Sequence, residues 1–93
     1  MTSIKLLEKI NISLIKEQEV STENENITYR LYCIEFIEAT KYAIGADFRN
    51  ENEICFVGGD LSNANELYEI ICRNSVTPCT LAYIIEDHFK EKY

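Results

Sequence analysis

The stretch Ile27-Thr-Tyr-Arg-Leu-Tyr-Cys-Ile-Glu-Phe-Ile37 is dense in β-branched and aromatic residues, the side chains that suit a pleated surface. It alternates between Ile27, Tyr29, Leu31 and Cys33 on one side and Thr28, Arg30, Tyr32, Ile34 and Phe36 on the other. Both sets are substantially apolar. That pattern places the strand centrally in a sheet, or beneath cover on two faces, rather than at an edge.

The neighbouring segments supply its partners. Upstream, Ile10, Ile12 and Leu14 alternate with Asn11 and Ser13, the period of two expected of a half-buried strand running from Lys9 to about Val20. Residues 6–9 either begin that strand or form a short turn. Residues 21–26 lack apolar side chains and read as a hairpin loop. Downstream, Tyr42, Ile44, Ala46 and Phe48 alternate with Ala43, Gly45 and Asp47 to give a third strand. A polar turn at 49–52 leads to a fourth strand over 53–57, so these two make a second hairpin.

Gly58-Gly59 ends the sheet, since glycine supplies the backbone angles a sharp exit needs. A helix then starts with Ser62 or Asn63 as its cap. Asn63 and Glu66 form a variant of the capping box, and Leu67, Ile70 and Ile71 make the buried stripe. Asn74-Ser75 closes it. Thr77-Pro78 starts the next helix, a capping hydroxyl followed by proline at the first helical position, where its missing N–H costs nothing. Leu81, Ile84, Ile85, His88 and Phe89 fall on one face of that helix. The order of elements implies an α+β fold: an antiparallel four-stranded sheet of two hairpins, followed by two C-terminal helices packed on one face.

Length and charge bound the rest. Ninety-three residues, 46% of them apolar, suffice for a single domain over 1–93 with its own core, but leave no room for a deep enclosed active site. The net charge of −7 opposes a nucleic-acid partner, which is held by lysine and arginine. The acidity is uneven, with six glutamates against one arginine over 17–38, around the tip of the first hairpin. The first twenty residues lack the pattern of a secretory signal, and no apolar run approaches the ~18 residues of a membrane span. The expectation is a cytoplasmic protein with no membrane attachment, whose Cys33, Cys55, Cys72 and Cys79 are free thiols.

Few constellations carry chemistry. The nearest cysteines, Cys72 and Cys79, are too far apart for a zinc pair, so no metal is expected, and no cofactor motif is present. Gly58-Gly59-Asp60 lacks the glycine spacing and the lysine of a phosphate loop. Cys79 lies near a helix N-terminus, where the positive end of the dipole favours a thiolate. It is the candidate reactive thiol, alone or as a redox pair with Cys72. His88, the single histidine, is the one residue able to complete a Cys–His arrangement.

Glu86 and Asp87 sit late in the last helix, where negative charge meets the negative end of the dipole. Lys90 follows Glu86 at a helical spacing of four, but Asp87 meets Glu91 at the same spacing. An ion pair from Asp87 to Arg30, Arg49 or Arg73, or a contact with a partner protein, is therefore expected.

The tail Asn74-Ser-Val-Thr-Pro78, then Leu81, then Ile84-Ile-Glu-Asp87, resembles the closing signature of a family of short proteins from Clostridia and related Firmicutes, the domain of unknown function 6514. The similarity extends to a tyrosine-rich strand and to a Tyr-x-Ile-Gly-type strand at 42–45. Members often carry His and Asp where this chain has Thr80 and Tyr83, which speaks against a polar catalytic face on the last helix. The resemblance implies a Firmicutes source and an α+β fold, and no activity.

Together these readings lead to a small cytosolic protein-interaction or regulatory module, monomeric or homodimeric, rather than an enzyme. Its expected contacts are Glu23 and Glu25 at the hairpin tip and Glu86 and Asp87 on the last helix. The competing expectation is a small-molecule-binding or thiol-dependent protein centred on Cys79 and His88.

Overall fold

Four antiparallel strands in the order β1-β2-β3-β4 form one sheet, and two helices follow it in the chain. The computed structural model describes residues 11–23 and 25–92. Within them β1 is Asn11–Ser21, β2 Asn26–Glu35, β3 Thr40–Phe48, β4 Glu51–Phe56, α1 Leu61–Arg73 and α2 Pro78–Lys92. This is the α+β arrangement that the order of elements implied. The expected strand start at 9–10 and the possible turn at 6–9 lie outside the described residues.

Register decides which side chains share a face. Leu31 lies opposite Ile44, Tyr29 opposite Ala46, and Ile44 opposite Cys55, so these point to the side where the helices pack. The helices rest on β2, β3 and β4. The core between them holds Ile27, Tyr29, Leu31, Ile44, Ala46 and Val57 from the sheet side, with Leu67, Tyr68 and Ile71 from α1 and Leu81 and Ile85 from α2. Two phenols cross it. Tyr29 donates to the Val76 carbonyl at 2.6 Å, and Tyr68 donates to the Tyr29 carbonyl at 3.1 Å. The first supplies a donor to a buried loop carbonyl, and the second ties α1 to the backbone of β2. Burial pushes the Tyr29 phenol up to about 12, and raises Tyr68 further.

Local chemistry moves some boundaries. The second hairpin turns over Arg49-Asn50 alone, with Phe48 opposite Glu51, so β4 begins two residues before the expected 53. The tight loop is possible because Arg49 adopts φ 58°, the positive angle that mirror-image hairpin turns require. Its guanidinium is held by Glu25 at 2.6 Å and lies 5.2 Å from the centre of the Phe48 ring. At the sheet exit Gly58 has φ 92°, as expected of a glycine there.

The cap of α1 is Asp60, not Ser62 or Asn63. Its carboxylate accepts from the Ser62 N–H at 2.8 Å and the Asn63 N–H at 3.4 Å, and a carboxylate also complements the positive helix end. The C-terminus of α1 closes at Asn74-Ser75 as read, with Ser75 in the left-handed region at φ 50° and the Val76 N–H returning to the Ile71 carbonyl. At the start of α2 the Thr77 hydroxyl meets the Thr80 hydroxyl at 3.1 Å.

β1 departs most from expectation. It is exposed along nearly its whole length, rather than half-buried. A bulge between Leu14 and Lys16 splits it. On its helix-facing side it presents Asn11 and Ser13, then Lys16, Gln18 and Val20. Ile12 and Leu14 point the other way, opposite Ile34 and Tyr32. Only its margin meets a helix, where Lys16 lies 3.6 Å from Glu69 and 6.0 Å from the centre of the Tyr68 ring. The alternation is real, but the apolar set lies on the side that carries no helix.

Candidate interaction surface

The face of the sheet turned away from the helices has two halves. Near the hairpin loops a polar ladder crosses all four strands. Arg30 on β2 donates to Glu17 on β1 at 2.6 Å and to Asp47 on β3 at 2.7 Å, and Asn52 on β4 donates to Asp47 at 2.8 Å. Hydrogen bonding to Asp47 first, then to Glu17, pushes the Arg30 guanidinium further up, fixing it as a cation at any pH the fold survives.

The other half is mainly apolar and open, with one exposed cation, Lys41, opposite Ile34. Ile12 is 65% exposed, Leu14 52%, Ile54 53% and Phe56 56%, with the half-buried Tyr32 and Ile34 between them. Register assembles the stripe: Ile12 opposite Ile34, Leu14 opposite Tyr32, Tyr32 opposite Ala43, and Ala43 opposite Phe56. Phe36 and Ile37, in the turn between β2 and β3, add exposed apolar surface at this end. Gly45 lies in the floor. A methyl there would come within 3.3 Å of both the Tyr32 ring and Ile54 Cγ1, so the bare backbone lets these two side chains lie low across it.

The sequence-predicted site residues fall elsewhere and apart. Glu23 and Glu25 are at the first hairpin tip, but the Glu25 carboxylate is already paired with Arg49. Glu86 and Asp87 are exposed on α2. Asp87 has no ion-pair or hydrogen-bond partner among the described side chains, which corrects the expected pairing with an arginine: Arg30 is taken by Glu17 and Asp47, and Arg49 by Glu25.

The cysteines are all free. Cys72 is buried in the core, and burial is the main cause that raises its thiol; Cys55 is raised by burial and then by Glu53. Cys79 is exposed, with its sulfur 3.4 Å from the Thr77 hydroxyl, and opens into a cleft of about 330 Å³. Asn50, Glu51, Asn52, Glu53 and Pro78 complete that cleft.

His88 does not join it. Nine residues later on the same helix, it is about 13.5 Å along the axis and on roughly the opposite side. Its Nε2 is buried without a hydrogen-bond partner among the described residues, and its ring meets Phe89 edge-on at 5.9 Å. The pairing of Cys79 with His88 is therefore not made. Among the described residues no three His, Cys, Asp or Glu side chains are grouped to hold a metal ion, and no helix is long and apolar enough to cross a membrane.

The apolar outer face was missed because alternation identifies residues that share a face and not which face the helices choose. One signal was available: both sides of residues 27–37 are apolar, while the two helices could cover only one. No family model, curated protein or solved structure matches the chain.

Proposed function

We infer that the chain is a small cytosolic protein-interaction module whose contact surface is the outer face of the sheet. The carrying observation is the exposure of Ile12 and Leu14 on β1 and of Ile54 and Phe56 on β4, joined across one face by Tyr32 and Ile34 of β2 and Ala43 of β3. Monomeric soluble proteins rarely leave contiguous apolar patches larger than a few hundred Å² in water, and those that do use them for association. The expected acidic contacts contribute less: Glu25 is neutralised within the chain, and Glu23, Glu86 and Asp87 are exposed acids on other parts of the surface. Kinship with the domain of unknown function 6514 is part of the same proposal and carries no activity with it.

The test compares baits. Immobilised wild-type chain, Phe56→Glu, Asp87→Lys and Glu23→Lys are challenged with a differently tagged copy of the chain and with a cell extract. Retention is expected to fall only for Phe56→Glu. If Phe56→Glu retains the same partners as wild type, the outer face is not the contact surface.

A second reading, a thiol-dependent binder, draws on the cleft that reaches Cys79. Glu51 and Glu53 line the same cleft, and His88 does not reach it. A Cys79 that reacts near neutral pH no faster than a free peptide thiol excludes it.

A further inference from the structure

We propose that the occupant of the outer face is a second copy of this chain, two sheets packing face to face about a two-fold axis. The proposal rests on the reading of that face as a contact surface and adds the partner. Area is the first argument. A standard interface buries ~800 Å² per partner, roughly 60% of it apolar. Ile12, Leu14, Ile34, Ile54 and Phe56 with the Tyr32 ring offer on the order of 600 Å² of exposed apolar area, the apolar supply of one whole interface.

Charge is the second argument. The chain carries −7, so two copies repel over most of their surface. On the outer face Glu17, Glu19 and Asp47 share the polar end with Arg30, and Lys41 stands opposite Ile34 at the apolar end, which leaves the face as a whole near balance. It is therefore a place where two acidic copies can meet at low electrostatic cost. A basic partner would find no excess of acid to recognise there.

The layout of the face is the third. Polar ladder and apolar stripe occupy opposite ends of the same strands. A two-fold axis lying in the interface and running across the strands superposes the two apolar ends. Glu17 and Asp47 of each copy then lie at opposite rims, in water. Each strand of the stripe meets the other copy through the alternate side chains that a face-to-face sheet pair interdigitates, at a spacing of ~10 Å. The low floor at Gly45 suits that approach, since the Tyr32 ring and Ile54 stay close to the sheet.

Sedimentation velocity on the full chain over about 1–100 µM is the test. Wild type is expected to approach twice 10.8 kDa at the upper end, as a Kd at or below ~10 µM requires. Phe56→Glu is expected to remain monomeric, with Kd raised at least about 100-fold, and Ile12→Glu to do the same from the edge strand. Far-UV circular dichroism confirms that each variant is folded; both positions are more than half exposed, so the monomer tolerates the charge. Wild type that stays monomeric at ~100 µM overturns the dimer, as do folded Phe56→Glu and Ile12→Glu chains that pair like wild type. If wild type is monomeric but its bait holds another protein that Phe56→Glu loses, the dimer fails and the contact surface stands. If the baits also behave alike, both readings fail.

Discussion

The two faces of the sheet are built from the same kinds of residue and end in opposite environments. On β2, Tyr29 and Leu31 are fully buried beneath the helices, while their neighbours Tyr32 and Ile34 look out on the other side. At β4 the contrast repeats, with Val57 just after the strand sealed and Ile54 and Phe56 open, whereas the central β3 is closed on both sides at Ile44 and Ala43. The inner face gains from burial as the chain folds. The outer face keeps that gain in reserve, about 25 cal/mol for each Å² of apolar surface that a later contact removes from water. One sheet therefore carries a folding surface and a binding surface back to back.

The comparison is broken most forcefully on the inner face. Leu31→Ala is expected to cost about 2–5 kcal/mol, the range for truncating a buried leucine in a core that relaxes only in part. Urea denaturation measures it, and the loss is expected to be independent of chain concentration. Ile54→Ala on the outer face, measured at sub-micromolar chain, is expected to cost less than about 1 kcal/mol. Equal losses would mean that the two faces are packed alike.

Tyr29→Phe is next, at about 1–3 kcal/mol, because the buried Val76 carbonyl loses its donor. It also changes the pH dependence. In the unfolded chain Tyr29 ionises near 10, and in the fold at about 12, so its contribution is fully present below 10 and is lost as pH rises through 12. Denaturation midpoints between pH 9 and 12 are expected to fall less steeply for Tyr29→Phe than for wild type. Tyr32→Phe, which removes a phenol from the outer face, is the comparison.

Arg30→Met sharpens the comparison within the outer face. The ladder is half exposed, so its loss is expected to cost about 1 kcal/mol or less and to shrink at high salt. The smallest effect belongs to Asp87→Lys. With no described partner and a place late in α2, the change is expected to be neutral or to stabilise by a few tenths of a kcal/mol, read as a shift in thermal midpoint.

Much of the fold was legible because it rests on local periodicity. Residues 27–37 and 42–48 identified the central strands, and Thr77-Pro78 placed the start of the last helix. The misreadings have two causes: neighbouring residues compete locally for one helix cap, and tertiary partners are chosen over distances the local pattern does not encode. Asp60 takes the cap of α1 because its carboxylate reaches two N–H groups from just ahead of the helix. Arg49 enters a positive φ, which an arginine seldom adopts, in a turn steadied by Glu25 from the other hairpin. The site was less legible. Unusual residues drew notice, such as a lone histidine, four thiols and a misplaced acid, whereas the surface that stands out consists of ordinary isoleucine, leucine and phenylalanine. Their significance depends on where the two helices end up.

The most direct test of the open outer face is the thermal midpoint as a function of chain concentration, for wild type and Phe56→Glu side by side. Binding to the folded state raises the midpoint by mass action. The account predicts a wild-type midpoint that climbs with concentration, a Phe56→Glu midpoint that does not, and convergence of the two at high dilution. A Phe56→Glu chain that melts well below wild type even at the dilution limit would contradict it, because Phe56 would then be part of the core of a single chain.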